Sequence, residues 1–400
     1  MKVLCASQMG TGTVLGQTMR VVAVAKELQR RGHEVAFLAG EKLIPVIEGY
    51  GLRLLELPPM PKMDFPAGLL FKAGEQQQEE ITVKIKEIMR QMAAAEKKAI
   101  ETEKPDVMLC GNLTGPLTAK AAGIPSVLIF LQPHGPKTIA LFTRRLSNQE
   151  ASRRNIYEVL EAAGLLLMEG MPELGEQALT PAFDEWGAAL KNKLHFTGPL
   201  PVDKPESLPG QEELKKRHAG CADKPLVYVT IGGGSPLLGE EFLSLVLDMF
   251  REQPETNGVV STGLALDPDR AAGFNPPPNV SMHQFVPGME LIKASDAVVF
   301  HGGSSTLMNC IACGRPAVVI PSMAEQEDNG AVLAGHGAGI VLDKNSLTPF
   351  VLAEAVKKLL TGRNYRSGAQ ALQKLGQRYG GAAGAAARVE ELVRGKPVED

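Results

Sequence analysis

The sequence predicts an α/β protein made of two domains, each built on a parallel sheet. A strand, a helix and a second strand follow one another at the start of the chain, and this βαβ order is typical of parallel sheets. The same pattern restarts after a proline-rich stretch at 201–211. A length of 400 residues also exceeds the usual size of a single domain.

Composition excludes several classes of protein. Apolar residues make up 44% of the chain and charged residues 22%, which is ordinary for a soluble globular protein. The net charge of −3 gives no electrostatic basis for binding nucleic acid or a strongly anionic membrane, and other peripheral membrane contact stays open. No apolar run approaches the ~20 residues that cross a bilayer. Five scattered cysteines have neither metal-ligand nor disulfide spacing, so we expect a cytoplasmic protein. We also expect no metal ion in the chemistry and no cofactor.

The first βαβ unit contains a glycine-rich loop. Its elements are predicted at Lys2–Ser7, Thr18–Arg31 and Val35–Ala39. The loop misses the dinucleotide-binding fingerprint, because its third glycine, Gly16, lies one position too late. We therefore interpret the loop, with Gly12 and Thr13, as lining a cleft at the carboxyl end of the sheet.

Polar side chains follow several later strands of the first domain. His134 follows the strand Ser126–Leu131, and Glu169 ends the strand that begins at Leu165. The carboxyl ends of parallel strands are where α/β proteins place their chemistry. The alternative for His134 is a surface histidine with no role. The other predicted elements here are the long amphipathic helix Glu75–Glu103 and the strand Pro105–Cys110.

The predicted domain boundaries follow from this pattern. The first domain covers 1–200, the linker 201–211, the second domain 212–375, and a tail at 376–400 packs back on the first domain. The second domain is predicted to contain strands at Leu226–Ile231, Gly258–Thr262, Val280–Phe285, Ala297–Phe300, Ala317–Ile320 and Gly339–Leu342. Its helices are predicted at Glu240–Phe250, Thr306–Cys313, Ala331–His336 and Leu352–Leu360, and a closing helix at Ala369–Leu392.

The strongest chemical signal is the turn from His301 to Thr306, between a strand and a helix. Two glycines let backbone approach a ligand, and a helix N-terminus favours anions. Hydroxyls of Ser304 and Ser305 would cap the helix or contact a phosphate. A second glycine turn with Gly233 and Ser235 follows the strand at Leu226. We predict a diphosphate site at these turns.

Two further segments are predicted to bind the rest of the ligand, beyond its diphosphate. Phe285 offers an aromatic face for a base, whose edge the backbone of Val286 would read; a core phenylalanine is the alternative. Residues 325–329 form a polar run that we place on a loop before a helix. Acids and amides there would bind sugar hydroxyls, and a solvated helix start is the alternative.

The second half of the chain resembles the nucleotide-sugar-dependent glycosyltransferases of the GT-B fold, above all the UDP-glycosyltransferases acting on natural products, sterols and lipids. The matching residues are Phe285-Val286-Pro287, Asp296 to Thr306, Gly314-x-Pro316, Pro321, Glu325-Gln326 and Asn329. The resemblance extends over nearly the whole chain through matches at the first loop, at Arg31 to Val35 and at Thr197 to Pro199. It implies two Rossmann-like domains whose parallel sheets face a central cleft, with a C-terminal helix crossing back to the N-terminal domain.

The resemblance also implies roles in donor binding. Phe285 stands where the family places a tryptophan against the base, and Asn309 where it has a glutamate on the ribose. Glu325 and Gln326 would bind the donor sugar. The diphosphate would be held by His301, Gly302, Gly303, Ser304, Ser305 and Thr306, helped by Gly233 and Ser235.

The first domain departs from the family. Inverting members use a histidine at the start of the first helix as general base, oriented by an acid. Here that position holds Gln17, whose amide takes up no proton, and the acid's place falls on Gly111 or Asn112. The candidate replacements are His134, Asp64 and Glu169. An acceptor that is already ionised would need no base.

The leading hypothesis is an inverting, metal-independent glycosyltransferase. It would move a hexose-type sugar from a UDP- or dTDP-sugar to a small-molecule or lipid-like acceptor, as a monomer or homodimer. One alternative is a nucleotide-sugar epimerase of the same fold. Another is a catalytically impaired homologue that binds nucleotide sugars as an auxiliary protein.

Overall fold

A computed structural model of the chain describes residues 1–7, 15–40, 43–56, 75–140, 150–175, 192–230, 239–263 and 273–395. Two parallel sheets organise these residues into two domains. The α/β fold predicted from the sequence is confirmed.

The first domain is built on seven parallel strands in the order β3-β2-β1-β4-β5-β6-β7. Strands β1, β4 and β6 are buried along nearly their whole length, which is why their sequences are continuous apolar runs. The strands are β1 (Lys2–Ala6), β2 (Glu34–Leu38), β3 (Arg53–Leu54), β4 (Val107–Cys110), β5 (Ser126–Leu131), β6 (Leu165–Glu169) and β7 (Leu194–Gly198). Its helices are α1 (Leu15–Arg30), α2 (Ile44–Gly49), α3 (Glu75–Glu103), α4 (Gly115–Ala121) and α5 (Glu150–Ala162), with a 3₁₀ turn at Pro172–Leu174.

The second domain contains six parallel strands in the order β10-β9-β8-β11-β12-β13. These strands are β8 (Leu226–Thr230), β9 (Asn257–Ser261), β10 (Val280–His283), β11 (Ala297–Phe300), β12 (Ala317–Val319) and β13 (Gly339–Val341). The helices around it are α6 (Gln211–Ala219), α7 (Glu240–Glu252), α8 (Gly288–Ala294), α9 (Ser304–Cys313), α10 (Ala324–Gly335) and α11 (Pro349–Thr361). Short 3₁₀ turns lie at Pro205–Ser207, in the segment between the domains, and at Lys344–Ser346.

The strand orders locate a crevice in each domain. Chain order reverses between β1 and β4 in one sheet and between β8 and β11 in the other. Ligands of open parallel sheets bind beyond the carboxyl ends of the strands at such a reversal. Helix α1 follows β1, and the turn at 301–303 follows β11, so both begin at these points.

One expectation for the second domain is wrong. The polar run at 325–329 is not a loop, because α10 already begins at Ala324. Alanine, glutamate and glutamine favour helix formation, and acids in a first turn interact well with the positive end of the helix dipole. The Gln326 side chain also accepts a hydrogen bond from the Ser322 N–H at 2.8 Å, just ahead of the helix.

The C-terminal helix crosses back to the first domain, as predicted, although the expected single helix is two. Helix α12 (Arg363–Gln377) packs on α9, and α13 (Gly381–Val393) packs on α1. They are separated at Gly380, whose φ of +77° is a left-handed conformation that favours glycine. Glu390 of α13 accepts hydrogen bonds from Arg31 at 3.3 Å and from His33 at 2.7 Å, next to the start of β2.

Among the helices that the structure describes, none combines the length and the apolar character needed to cross a membrane.

The crossover helix generates a stability prediction. Ala386 is fully buried against the core of the first domain, whereas the neighbouring Ala387 is half-buried. We expect Ala386→Leu to lower the free energy of unfolding of the first domain by about 1–3 kcal/mol, because extra methylene groups overpack a filled core. Urea unfolding measures the change, with Ala387→Leu as the matched control. Equal stability of the two variants would contradict the packing of α13 on α1.

Candidate functional site between the two domains

The turn after β11 is shaped by a close approach of backbone. Gly302 has a φ of +91°, and a Cβ there would lie 2.8 Å from the Gln326 carbonyl oxygen. Only glycine therefore lets this turn pass beneath α10. Helix α9 begins directly afterwards at Ser304, with Gly303 as an extended cap. The first backbone N–H groups of α9 lack intrahelical acceptors, which makes this end of the helix suited to an anion.

His301 lies at the start of this turn. Burial lowers its pKa to about 4, so the imidazole is neutral at pH 7. Its Nδ1 atom is buried and has no hydrogen-bond partner within the described parts of the chain. A neutral imidazole retains one N–H donor for a ligand oxygen.

Helix α10 faces the turn with the residues predicted to bind sugar. The Ser304 hydroxyl donates a hydrogen bond to Glu325, so its single proton is already used. Gln326 is buried, and its Oε1 accepts from Ser322. Ser305 and Thr306 are half-buried, and their hydroxyls have no partner among the hydrogen bonds of the described residues. The sugar-binding roles of Glu325 and Gln326 stay predictions.

The residues predicted to hold the nucleoside occupy different environments. Phe285 is 63% exposed, so its ring is not part of the core. Val286 packs partly against the core of the second domain, and Asn309 is half-buried on α9. An exposed ring beyond β10 retains a free face for stacking. The prediction that these residues contact base and ribose is unchanged.

Gln17 and Gly111 are neighbours in space. Helix α1 begins at Leu15, earlier than expected, which places Gln17 in its first turn. A Cβ on Gly111, just after β4, would lie 3.7 Å from Gln17 Cγ. The two positions at which the resemblance expects a base and an acid therefore adjoin, and they hold an amide and a glycine.

Asn112, the other position considered for the family's acid, is enclosed rather than open to a cleft. It is fully buried, and its Nδ2 donates to Glu96 Oε1 at 2.8 Å. Thr114 and Thr118 also donate to the same carboxylate, at 2.7 and 2.8 Å. Burial raises the pKa of Glu96. Sequence reasoning missed Glu96 because it lies within a long amphipathic helix, where an acid is normally solvated.

Glu169 is also engaged rather than free. Its carboxylate forms a buried ion pair with Arg20 of α1 and accepts a hydrogen bond from the Leu200 N–H at 2.9 Å. Separating this buried carboxylate from its partners would cost free energy, because a buried charge would be left unpaired. The expectation of an open carboxylate at this strand end is therefore corrected: Glu169 ties α1 to the start of the interdomain segment.

His134 contacts the second domain. Its Nδ1 lies 2.7 Å from Asn329 Oδ1, on α10. Desolvation lowers its pKa to about 4, and its Nε2 is buried without a partner within the described ranges. A general base works best when its pKa lies near the operating pH, so this environment does not favour His134 as the replacement base. Asn329 matched the family pattern in the sequence, but its bond to His134 joins residues 195 positions apart.

The remaining predicted site residues lie outside the described residues. They are Gly12, Thr13, Asp64, Gly233 and Ser235.

Comparison with known proteins identifies a family model that matches part of the chain and relatives that match nearly all of it. The C-terminal domain model described as erythromycin biosynthesis protein CIII-like matches residues 265–377. An uncharacterized glycosyltransferase of Methanosarcina mazei is 29% identical over 380 residues, covering 92% of this chain and 93% of that protein. The NDP-glycosyltransferase YjiC of Bacillus subtilis is 23% identical over 404 residues, covering 95% of each.

Solved structures share the fold. The glycosyltransferase SnogD from Streptomyces nogalater matches with a TM-score of 0.69 and 23% identity, over 98% of this chain and 99% of that one. The glycosyltransferase VinC, solved in complex with dTDP, matches with a TM-score of 0.67 and 19% identity, over 98% and 100% of the two chains. The two-domain GT-B architecture is thereby confirmed.

The buried carboxylate of Glu96 generates a pH-dependent prediction. Because its folded-state pKa is raised, the native protein loses stability as pH rises above the ordinary carboxyl value. Glu96→Gln removes this loss and keeps the contacts, since the Thr118 hydroxyl can also donate to the Thr114 carbonyl at 3.1 Å and accept from the new amide. We expect the variant to match wild type near pH 4 and to exceed its stability increasingly towards pH 8, measured by thermal unfolding.

The control for this prediction is Glu96→Ala. It leaves the buried donors of Asn112 and Thr114 unpaired and should lower the free energy of unfolding by about 1–3 kcal/mol at pH 4. This deficit relative to wild type should shrink towards pH 8, because alanine also removes the titrating carboxylate. An advantage of Glu96→Gln that is the same at pH 4 and pH 8 would contradict the assigned cause.

Proposed function

We propose, given that the chain belongs to the UDP-glycosyltransferase-like family of GT-B proteins, that it transfers a hexose-type sugar from a UDP- or dTDP-sugar to a small-molecule or lipid-like acceptor. Relatives named as glycosyltransferases span nearly the whole chain, which supports an enzyme of the natural-product type. The VinC structure contains dTDP, which supports a nucleoside diphosphate as the common part of the donor.

The observation that carries the proposal is the turn from His301 to Ser304. It presents the N-terminus of α9 at the strand-order reversal of the second sheet. Displacement at the anomeric carbon breaks the bond from the sugar to the diphosphate and leaves an additional negative charge on the leaving group. Backbone N–H groups and a neutral histidine, already fixed in place, stabilise such a charge without reorganisation. We propose that they do so without a metal ion and with inversion at the sugar.

Gln17 and Gly111 restrict how the acceptor is activated. Neither can remove a proton at neutral pH, and general-base help is typically worth 10²–10⁴-fold in rate. Acceptors with an oxygen that is already ionised, such as a carboxylate or a phosphate, fit this pair of positions best. The same observation favours a second candidate function, a nucleotide-sugar-binding auxiliary protein that does not turn over its ligand.

Turnover separates the two candidates. Purified protein is incubated with UDP- and dTDP-hexoses and with a panel of carboxylate, phosphate and hydroxyl acceptors. Release of nucleoside diphosphate that requires an acceptor supports transfer, whereas binding without release supports the auxiliary function. Release without any acceptor would point to donor hydrolysis and contradict both.

The proposed donor binding at α9 predicts the effect of introducing a negative charge there. Thr306 lies in the first turn of α9, where a carboxylate is favourable to the helix itself but repels a diphosphate. We expect Thr306→Asp to weaken UDP or dTDP binding at least ~10-fold while preserving thermal stability. Calorimetric titration measures the change.

The matched control is Thr306→Asn, which has the same shape without the charge. Its amide can still donate a hydrogen bond to the diphosphate, so its affinity should be well above that of Thr306→Asp. Equal affinity of the Asp and Asn variants would show that the diphosphate lies elsewhere.

A further inference from the structure

A loop of the first domain is hydrogen-bonded to consecutive residues of α10. The Thr138 N–H and hydroxyl both donate to Asp328 at 2.6 Å, and His134 contacts Asn329. A Cβ at Gly135 would collide with the Asp328 carboxyl group, so the loop backbone lies directly against the helix. An exposed ion pair between Lys137 and Glu327 continues the same contact at the surface.

The Asn329 amide links this loop to the turn of the candidate donor site. Its Nδ2 donates to the Gly302 carbonyl at 2.7 Å and to the Ser304 hydroxyl at 3.1 Å. A carbonyl can only accept, so these contacts fix which end of the amide faces the turn. The amide oxygen therefore faces His134 and accepts from its Nδ1–H.

The bonding of Asn329 also fixes the tautomer of His134. Burial keeps this imidazole neutral at pH 7, with a pKa of about 4, so it carries one ring proton. That proton is on Nδ1, because the Asn329 oxygen has none to give. His134 thus uses its single donor for Asn329.

The groups that make these hydrogen bonds are buried, so losing a bond would cost free energy. His134, Asn329 and Ser304 are 6%, 1% and 6% exposed. In such surroundings a donor or acceptor that loses its partner pays a desolvation cost that water does not relieve. Loss of the His134 bond would free the Asn329 amide to rotate, and rotation would break its bonds to Gly302 and Ser304.

The first domain also approaches α9 directly. A Cβ on Gly16, in the first turn of α1, would lie 2.5 Å from the Ser305 hydroxyl oxygen. The turn and the start of α9 are therefore bordered by the first domain at Gly16 and linked to it through Asn329. The shape of the candidate donor site depends on both domains.

We propose that His134 is a positioning residue of the donor site: from the first domain, through Asn329, it holds the Gly302 turn and the Ser304 hydroxyl in the arrangement that binds a nucleoside diphosphate. This inference rests on the proposed function, since it assigns a determinant of affinity to the same site. It gives His134 a role other than the replacement base considered from the sequence. His134 acts on the donor through another residue rather than by touching it.

Three substitutions at one position test the proposal. An asparagine amide can place its N–H₂ near the position of imidazole Nδ1, whereas a glutamine amide reaches the position of Nε2. We expect His134→Ala and His134→Gln to weaken dTDP or UDP binding on the order of 10-fold, and His134→Asn to stay within about threefold of wild type. Calorimetric titration of the full chain, without acceptor, measures each dissociation constant.

Coupling to Asn329 is tested by a double-mutant cycle. If His134 acts only through Asn329, the double variant His134→Ala/Asn329→Ala loses no more affinity than Asn329→Ala alone. Additive losses would overturn the proposed route. Lys137→Ala serves as the control, because an exposed ion pair in the same loop contributes little and its removal should change affinity less than about twofold.

The outcomes separate this inference from the proposed function. If wild type binds neither UDP nor dTDP, both fail. If wild type binds and the Ala and Gln variants bind equally well in their folded state, the inference alone fails, even if their melting temperatures fall. Loss of turnover with unchanged donor affinity would also overturn it, in favour of a direct catalytic role for His134.

Discussion

The hydrogen bonds of one amide, Asn329, connect the parts of this molecule that would have to act together. Asn329 belongs to α10, yet its three bonds reach the turn at Gly302, the first residue of α9 and a histidine of the other domain. Each partner is a group that is costly to leave unpaired when buried. The turn can pass beneath α10 only because position 302 is a glycine. The turn and the start of α9 are therefore fixed by local geometry and by contact between the domains.

The two sides of the crevice differ in their chemistry. The side formed by the second domain offers helix N–H groups, a neutral histidine and hydroxyls, which suit a leaving diphosphate. The side formed by the first domain brings Gln17 next to Gly111, and neither removes a proton. Under the proposed function, the second domain therefore supplies groups that assist departure of the leaving group, whereas Gln17 and Gly111 of the first domain do not activate the acceptor. This asymmetry is why the choice of acceptor, and not donor binding, decides between the two proposed functions.

Polar residues at strand ends were informative only in part. The turn at 301–306 follows a strand and opens a helix, and both features are local, so the sequence was sufficient to predict it. Asn112 follows a strand and Glu169 ends one, but their partners come from separate helices: Glu96 lies 16 residues from Asn112, and Arg20 lies 149 residues from Glu169. Which strand-end polar group is free and which is buried in a pair depends on the helices that cover the sheet. The polar run at 325–329 was misjudged for a different reason: its residues favour a helix, and α10 already begins at Ala324. Only its hydrogen bonds with the turn and with the other domain depend on tertiary structure.

The family resemblance implied the return of the C-terminal helix, and the sequence by itself determined the two parallel-sheet domains and the glycine turn between β11 and α9. These depend on periodic apolar runs, on glycines and on the order of elements, all of which are local in the chain. The tertiary structure decided the burial of Glu96 and Glu169 and the contact of His134 with Asn329. Each of these depends on which distant side chain fills a given space or meets a given buried donor. Pattern and propensity carry no information about such partners, because a hydrogen bond between residues 134 and 329 exists only once both domains have folded and met.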